Sequence, residues 1–314
     1  MNSPKTPKQI SQSLELAILL ESSAHKPGNV NVVTDFENTR YEHFLASAVA
    51  ATSSLETGAQ RGIEFTKEKI TIDEVRVGEI IKNCVSEIAA WQHGGNTLLG
   101  TVILLSPMAV AAGIIAKTEK FSVAELRNKM RLVSETTTPQ DATDVYDAIA
   151  VANPSGLGNA PTLDVNDPRS KRKILEDKIP LYDVFKIAEP YDTVCSEYVN
   201  NFHVTFDLAY RALTVHLKNV NDPGTAIIQS FLEVLAQVPD TFIARKTSLE
   251  KAVEVSRRAA EILDAGGTTS PEGRKKLRNF DLALRKQSNL LNPGTTADII
   301  AAGLAVCILV GYRP

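Results

Sequence analysis

Residues 96–116 read NTLLGTVILLSPMAVAAGIIA, and how this stretch is housed decides the fold. It holds no charged residue and is long enough, as a helix, to cross a bilayer. Against a membrane span stand Asn96, Thr97, Thr101, Ser106 and Pro107, amphipathic neighbours, and the lack of a second clear span. The stretch is therefore read as a helix buried in protein. A break is expected near Pro107, whose ring removes a backbone donor.

The rest of the chain is helical in pattern. Ile10–Ser23, Tyr41–Leu55, Ile72–Trp91, Val123–Val133 and Gln140–Ala152 carry helix-favouring or amphipathic spacing, as do Leu249–Leu263, Pro271–Leu284 and Pro293–Val310. Ile227, Phe231, Leu232, Leu235 and Val238 mark one apolar face. Strand alternation is scarce; Asn29–Val33 is the one short piece expected to be extended. The expectation is an all-α protein, one compact multi-helix domain over residues 1–314, with residues 1–8 a loose tail. Asn153–Lys173 is a long polar connection, and such connections tend to be functional or mobile.

Composition narrows the function classes. Of 314 residues, 43% are hydrophobic and 23% charged, ordinary for a globular protein with a real core. A net charge of −3 argues against nucleic acid as the main partner. Cys84, Cys195 and Cys307 form no metal or disulfide spacing, which fits a reducing cytoplasm. Met1–Gln9 has no apolar signal-peptide core. A homodimer is compatible with the chain.

Five segments carry candidate chemistry. Asn292-Pro293-Gly294-Thr295-Thr296-Ala297-Asp298 opens the last helix, with Asn292 as N-cap and Pro293 at the first helical position. Backbone N–H groups there favour anions such as phosphate. Asp298, one turn in, is a cap partner or a metal ligand. Asp144 and Asp147 stand one turn apart on the helix after Thr138-Pro139. Like charges at that spacing are either solvated or neutralised by a cation, and Mg²⁺ suits them. Locally, the plainer reading is a wet face with Asp141 helping to cap. Asp240 precedes Arg245 and Lys246, so a cap or metal ligand is followed by two cations able to hold phosphate. Gly94-Gly95-Asn96-Thr97 is either a tight turn or a place for close ligand approach, with Asn96 and Thr97 able to bond sugar or phosphate. Lys26, in Lys26-Pro27-Gly28-Asn29, is a phosphate ligand or a cation ending a helix. A P-loop and a three-glycine dinucleotide fingerprint are both missing from the sequence.

Together these segments resemble the triphosphoribosyl-dephospho-CoA synthase family. The likeness runs in order across most of the chain: KPGNV at 26–30, FLASA at 44–48, GGNT at 94–97, PDT with basic residues at 239–246, and NPGTTAD at 292–298. Leu98-Leu99 stand where the usual pattern has His-Lys, and Arg245-Lys246-Thr247 where it has Arg-Gly-Gly. These departures resemble a divergent branch found in archaea and methylotrophic bacteria.

The resemblance implies an all-helical transferase. It would join the ribose 2′-hydroxyl of dephospho-CoA to C1′ of the ribose of ATP, releasing adenine and keeping the triphosphate. It implies Mg²⁺ held among Asp144, Asp147, Asp240 and Asp298. Asp240, Asp298 and Asn96 would then be catalytic, and Lys26, Gly95, Thr97, Arg245, Lys246, Asn292, Thr295 and Thr296 would bind substrate. Leu98-Leu99 keep two alternatives open: another acceptor from one-carbon cofactor synthesis, a pterin or furan precursor, or a non-catalytic protein that binds a phosphorylated ligand.

Overall fold

The computed structural model describes residues 6–116, 121–158, 160–220, 222–286 and 289–314. Its α-helices are α1 (Pro7–Ser23), α2 (Tyr41–Thr66), α3 (Val77–Trp91), α4 (Leu99–Ile115), α5 (Val123–Glu135), α6 (Pro139–Ala152), α7 (Pro168–Glu176) and α8 (Leu181–Ala188). Then follow α9 (Thr193–Val199), α10 (Tyr210–Asn219), α11 (Pro223–Gln237), α12 (Thr241–Lys246), α13 (Leu249–Asp264), α14 (Pro271–Arg285) and α15 (Gly294–Leu309). A π-helical turn, Val204–Ala209, leads into α10. The all-α class is as expected. Among the described residues the only β-type pairing is one bridge between Asn31 and Thr34, where an extended piece was expected.

The uncharged helix α4 is buried on every side from Thr101 to Ile115. Its neighbours, α2, α5 and α15 among them, replace the lipid that an apolar cylinder would otherwise need. No helix of the described residues is long and apolar enough to cross a membrane. The backbones of α2 and α4 nearly touch. A Cβ on Gly62 would stand 2.1 Å from the Val110 carbonyl, and one on Gly113 equally close to that of Ala59.

The expected break at Pro107 does not occur. Proline takes away the N–H that would have bonded the Ile103 carbonyl, four residues back. The buried Tyr198 hydroxyl, from α9, donates to that carbonyl at 2.8 Å. An orphan acceptor is thus satisfied from another helix, and α4 runs on. Tyr198→Phe strips this donor and leaves a buried carbonyl unpaired, so a loss of about 1–3 kcal/mol is expected. Denaturant unfolding checks it; an unchanged midpoint would contradict the role.

Three other expectations need correction. Residues 7 and 8 are helical: α1 starts at Pro7, with Thr6 accepting from the Gln9 N–H at 3.2 Å, and the expectation for residues 1–5 lies outside the described residues. The connection from Asn153 is not structureless to Lys173, because Asp167 caps α7 from Pro168 onward. Asn292 does not cap the last helix. Pro293 holds that position, and the Asn292 amide turns to the α1–α2 connection instead.

Like α4, α15 is buried nearly all round, from Ile299 to Leu309. It packs against α1, α4, α10 and α11. The N-terminal ends of these two buried helices open on one cavity.

Candidate active site

The cavity has a volume of about 550 Å³. Its wall comes from the end of α1 and the loop after it, the start of α4, the connection after α6, and the N-terminal parts of α9 and α15 with the basic end of α12. That volume is of the size that holds a small ligand or cofactor. Asn96, Thr97, Lys26, Arg245, Lys246, Asn292, Thr295 and Asp298, named from sequence, all line it.

Asp298 sits on the first turn of α15. Its Oδ1 accepts the Thr101 hydroxyl at 2.5 Å. Its Oδ2 lies against Gly100, where a Cβ would stand 2.1 Å away. Burial pushes the carboxyl up to about 8, Thr101 draws it back somewhat, and the charges of Glu21 and Asp240 raise it further. Gly100→Ala should force the carboxylate to turn. A displacement of that order costs up to about 100-fold in rate, while alanine suits a helix better than glycine. Steady-state kinetics beside a circular dichroism melt would check this: unchanged kcat/KM would contradict the geometry.

The cations of α12 line the same cavity. Arg245 Nη1 donates to Asp192 Oδ2 at 2.6 Å, and its Nε to the Gly156 carbonyl at 3.0 Å. Asp192 Oδ1 caps α9 through the N–H groups of Val194 and Cys195. One aspartate thus ties the start of α9 to the guanidinium. Lys246 donates to the Asn289 carbonyl at 2.9 Å and lies 4.2 Å from the centre of the Phe242 ring. Desolvation pulls its ammonium down to about 8, with Asp240 acting the other way. A bound anion would reverse that shift.

Thr97 and Thr295 line the wall through hydroxyls shared with Ser47 and Thr241, at 2.7 and 3.3 Å. Asn96 Oδ1 accepts the Leu99 N–H at 3.1 Å and so caps the entry to α4. The Asn292 amide donates to the Gly28 carbonyl and to Asn29 Oδ1, both at 2.8 Å, fastening α15 to the loop after α1.

Other expected site residues lie elsewhere. Asp240 is buried and does not line the cavity. Its Oδ1 accepts from the N–H groups of Phe242 and Ile243, and its Oδ2 from the N–H and hydroxyl of Thr296. Metal ligation would have to displace these donors, so Asp240 is a double helix cap instead. Thr296, turned toward it, is no ligand to the cavity. Asp144 is paired with Arg76 and Lys82, and Asp147 with Lys82 and Lys171. Neither lines the cavity. The cation that neutralises them is the protein's own, not a metal. Gly95, at φ +76°, serves a turn, with its carbonyl accepting from Gln92, and is not part of the wall.

Lys26 reaches the cavity but is already engaged. Its ammonium donates to the carbonyls of Glu21 and Ala24 and pairs with Glu21 Oε1 at 3.0 Å. Sequence reasoning passed over Glu21, although a signal was there. In α1 it falls on the same face as Leu14, Ala17 and Ile18, an acid where the apolar stripe demands a buried residue.

The fold and cavity define an all-helical protein with a pocket lined by both carboxylates and cations. The family model for ATP:dephospho-CoA triphosphoribosyl transferase matches residues 7–313, and the chain belongs to that family. A protein of Azotobacter vinelandii, provisionally assigned as a 2-(5''-triphosphoribosyl)-3'-dephosphocoenzyme-A synthase, is 32% identical over 83 residues. That segment spans 26% of this chain and 28% of the relative. A crystal structure from Archaeoglobus fulgidus, provisionally described as a triphosphoribosyl-dephospho-CoA synthase, superposes with a TM-score of 0.62. It covers 86% of this chain and 100% of that one at 22% identity, a likeness that carries the fold alone.

Proposed function

We propose that the protein is a cytoplasmic transferase that moves the triphosphoribosyl group of ATP to the ribose 2′-hydroxyl of dephospho-CoA. The carrying observation is that one cavity is lined by Asp298, with its Thr101 partner, and by Arg245 and Lys246. Family membership over residues 7–313 supports the same reading.

In this reaction the C1′–N9 bond of ATP breaks with its electron pair on adenine, and the C1′–O bond to the acceptor forms. The hydroxyl loses one proton and adenine gains one. Positive charge builds at C1′ in an oxocarbenium-like state, as in glycoside cleavage, so a carboxylate nearby favours it. Arg245 and Lys246 would hold the triphosphate, the first by its planar fork and the second as a point charge. Asn96 and Thr97 would orient the ribose. Mg²⁺, when present, would supply charge neutralisation and orientation for the triphosphate. Of the four acids first considered for it, Asp298 is the one that faces the cavity. Three acid, His or Cys side chains do not converge anywhere among the described residues. Mg²⁺ shared with phosphates needs one or two carboxylates, so the donor set fits.

A second reading changes the acceptor. Leu98 and Leu99 give the wall an apolar step where polar groups would meet a hydroxylated acceptor. Incubation with ATP and Mg²⁺, with and without dephospho-CoA, followed by chromatography of free adenine, separates the two. Adenine released only with dephospho-CoA is expected. Release that needs a cell extract instead would favour the other acceptor, and no release in either arm would sink both.

A further inference from the structure

We propose that Asp192 is a positioning residue that, with the Gly156 carbonyl, makes Arg245 a fixed fork for one phosphate of the bound nucleotide. The proposal rests on the triphosphate reading above and adds the residue that aims its guanidinium. Arg245 has five N–H donors in a planar group. Its Nε is taken by the Gly156 carbonyl, and Nη1 donates to Asp192 Oδ2. Nη2 has no partner among the described residues, and it is not one of the buried polar atoms left without one. Its two N–H groups are therefore open to the cavity that the residue lines. A guanidinium already pinned at two points loses little freedom when it takes a phosphate.

Asp192 is itself held in place. Its Oδ1 accepts the N–H groups of Val194 and Cys195 in the first turn of α9. Beside it, the Thr193 N–H donates to the Thr241 hydroxyl at 3.1 Å, and that hydroxyl donates to Thr193 Oγ1 at 3.2 Å. Helices α9 and α12 are thus joined twice, by threonines at the start of α12 and by the Asp192–Arg245 pair near its end. Two ties resist a rotation that one would allow. The carboxylate also has a cost: its charge offsets that of the guanidinium and repels a phosphate. A wall that needed positive charge alone would be better without it. The arrangement is favourable where the direction of the N–H groups matters more than net charge, as it does in planar recognition of phosphate.

The cap and the brace come apart in Asp192→Asn. Asparagine caps a helix about as well as aspartate, but its amide sets a donor against the guanidinium. Affinities of the full chain for inorganic tripolyphosphate and for adenosine are measured by isothermal titration calorimetry. Wild type is expected to bind tripolyphosphate, and Asp192→Asn to bind it at least about tenfold more weakly, with adenosine affinity unchanged. Arg245→Met should lose at least as much, and adding Asp192→Asn to it should change affinity by less than about twofold. Arg245→Met leaves Asp192 without its cation and risks misfolding, so Arg245→Lys, which keeps the charge but not the fork, is measured beside it and should match the loss. Wild type that does not bind tripolyphosphate overturns the proposal. So does Asp192→Asn binding it as tightly as wild type or more tightly, the result that charge alone would give. Losses that add in the double variant, or an equal loss of adenosine affinity in Asp192→Asn, overturn it too. The adenine assay is independent of these affinities. Adenine release with unaltered tripolyphosphate affinity in Asp192→Asn refutes the positioning role alone, and the converse pattern refutes only the transferase reading.

Discussion

Asp298→Asn is expected to lower adenine release at least about 100-fold while making the fold at least as stable as wild type at neutral pH. The two halves follow from one fact. With its carboxyl pushed up to about 8 by burial, Asp298 is protonated in the free protein at pH 7, so the neutral asparagine replaces a neutral acid. Chemistry that needs a carboxylate is lost, but packing is not. The sign of the pH dependence follows. The folded-state pKa lies above the unfolded value of about 3.9. Between those values the folded chain binds a proton that the unfolded chain does not. Stability contributed by this group is present at low pH and declines as pH rises towards 8, by up to about 1.4 kcal/mol per unit. Asp298→Asn should flatten that decline. Urea unfolding of both proteins from pH 5 to 9 would check it; parallel curves would refute the burial argument.

Asp240→Ala should have the largest effect on stability. The substitution strips the capping oxygens from α12 and from the first turn of α15 at once. A lost cap costs about 1–2 kcal/mol, and donors left buried without partners add to it. A total of about 4 kcal/mol is expected, or a melting temperature lower by roughly 10 °C for a chain of this size. Because α12 carries Arg245 and Lys246, and α15 carries Asp298, nucleotide affinity should fall as well. Asp240→Asn should be milder but still destabilising, since its amide nitrogen must face N–H or O–H donors. A thermal melt of each settles the order; an Asp240→Ala protein melting with wild type would show that the caps are dispensable.

These two aspartates show what the sequence could and could not reveal. Both were legible as helix-start acids, because Asp-Thr before an apolar run and a Pro-Gly-Thr-Thr start are local signals. Which of them faces a cavity is set by how α12 and α15 meet, and nothing local encodes that. The buried course of α4 was legible from its lack of charge. Its continuity through Pro107 was not, since the rescuing hydroxyl of Tyr198 lies 95 residues along the chain from the Ile103 carbonyl it satisfies. Asp144 and Asp147 looked like a metal pair because Arg76, Lys82 and Lys171 are remote along the chain. The short helices α8 to α10 escaped notice because few turns give little periodicity to read.

The proposed transferase joins C1′ of the ATP ribose to an acceptor hydroxyl within this one cavity. The most direct measurement is mass spectrometry of the product formed from ATP labelled with ¹³C in its ribose, with Mg²⁺ and dephospho-CoA. A coenzyme product carrying the labelled ribose and all three phosphates, with unlabelled adenine set free in equal amount, is the expected result. Label recovered only in ADP, AMP or intact ATP would contradict it.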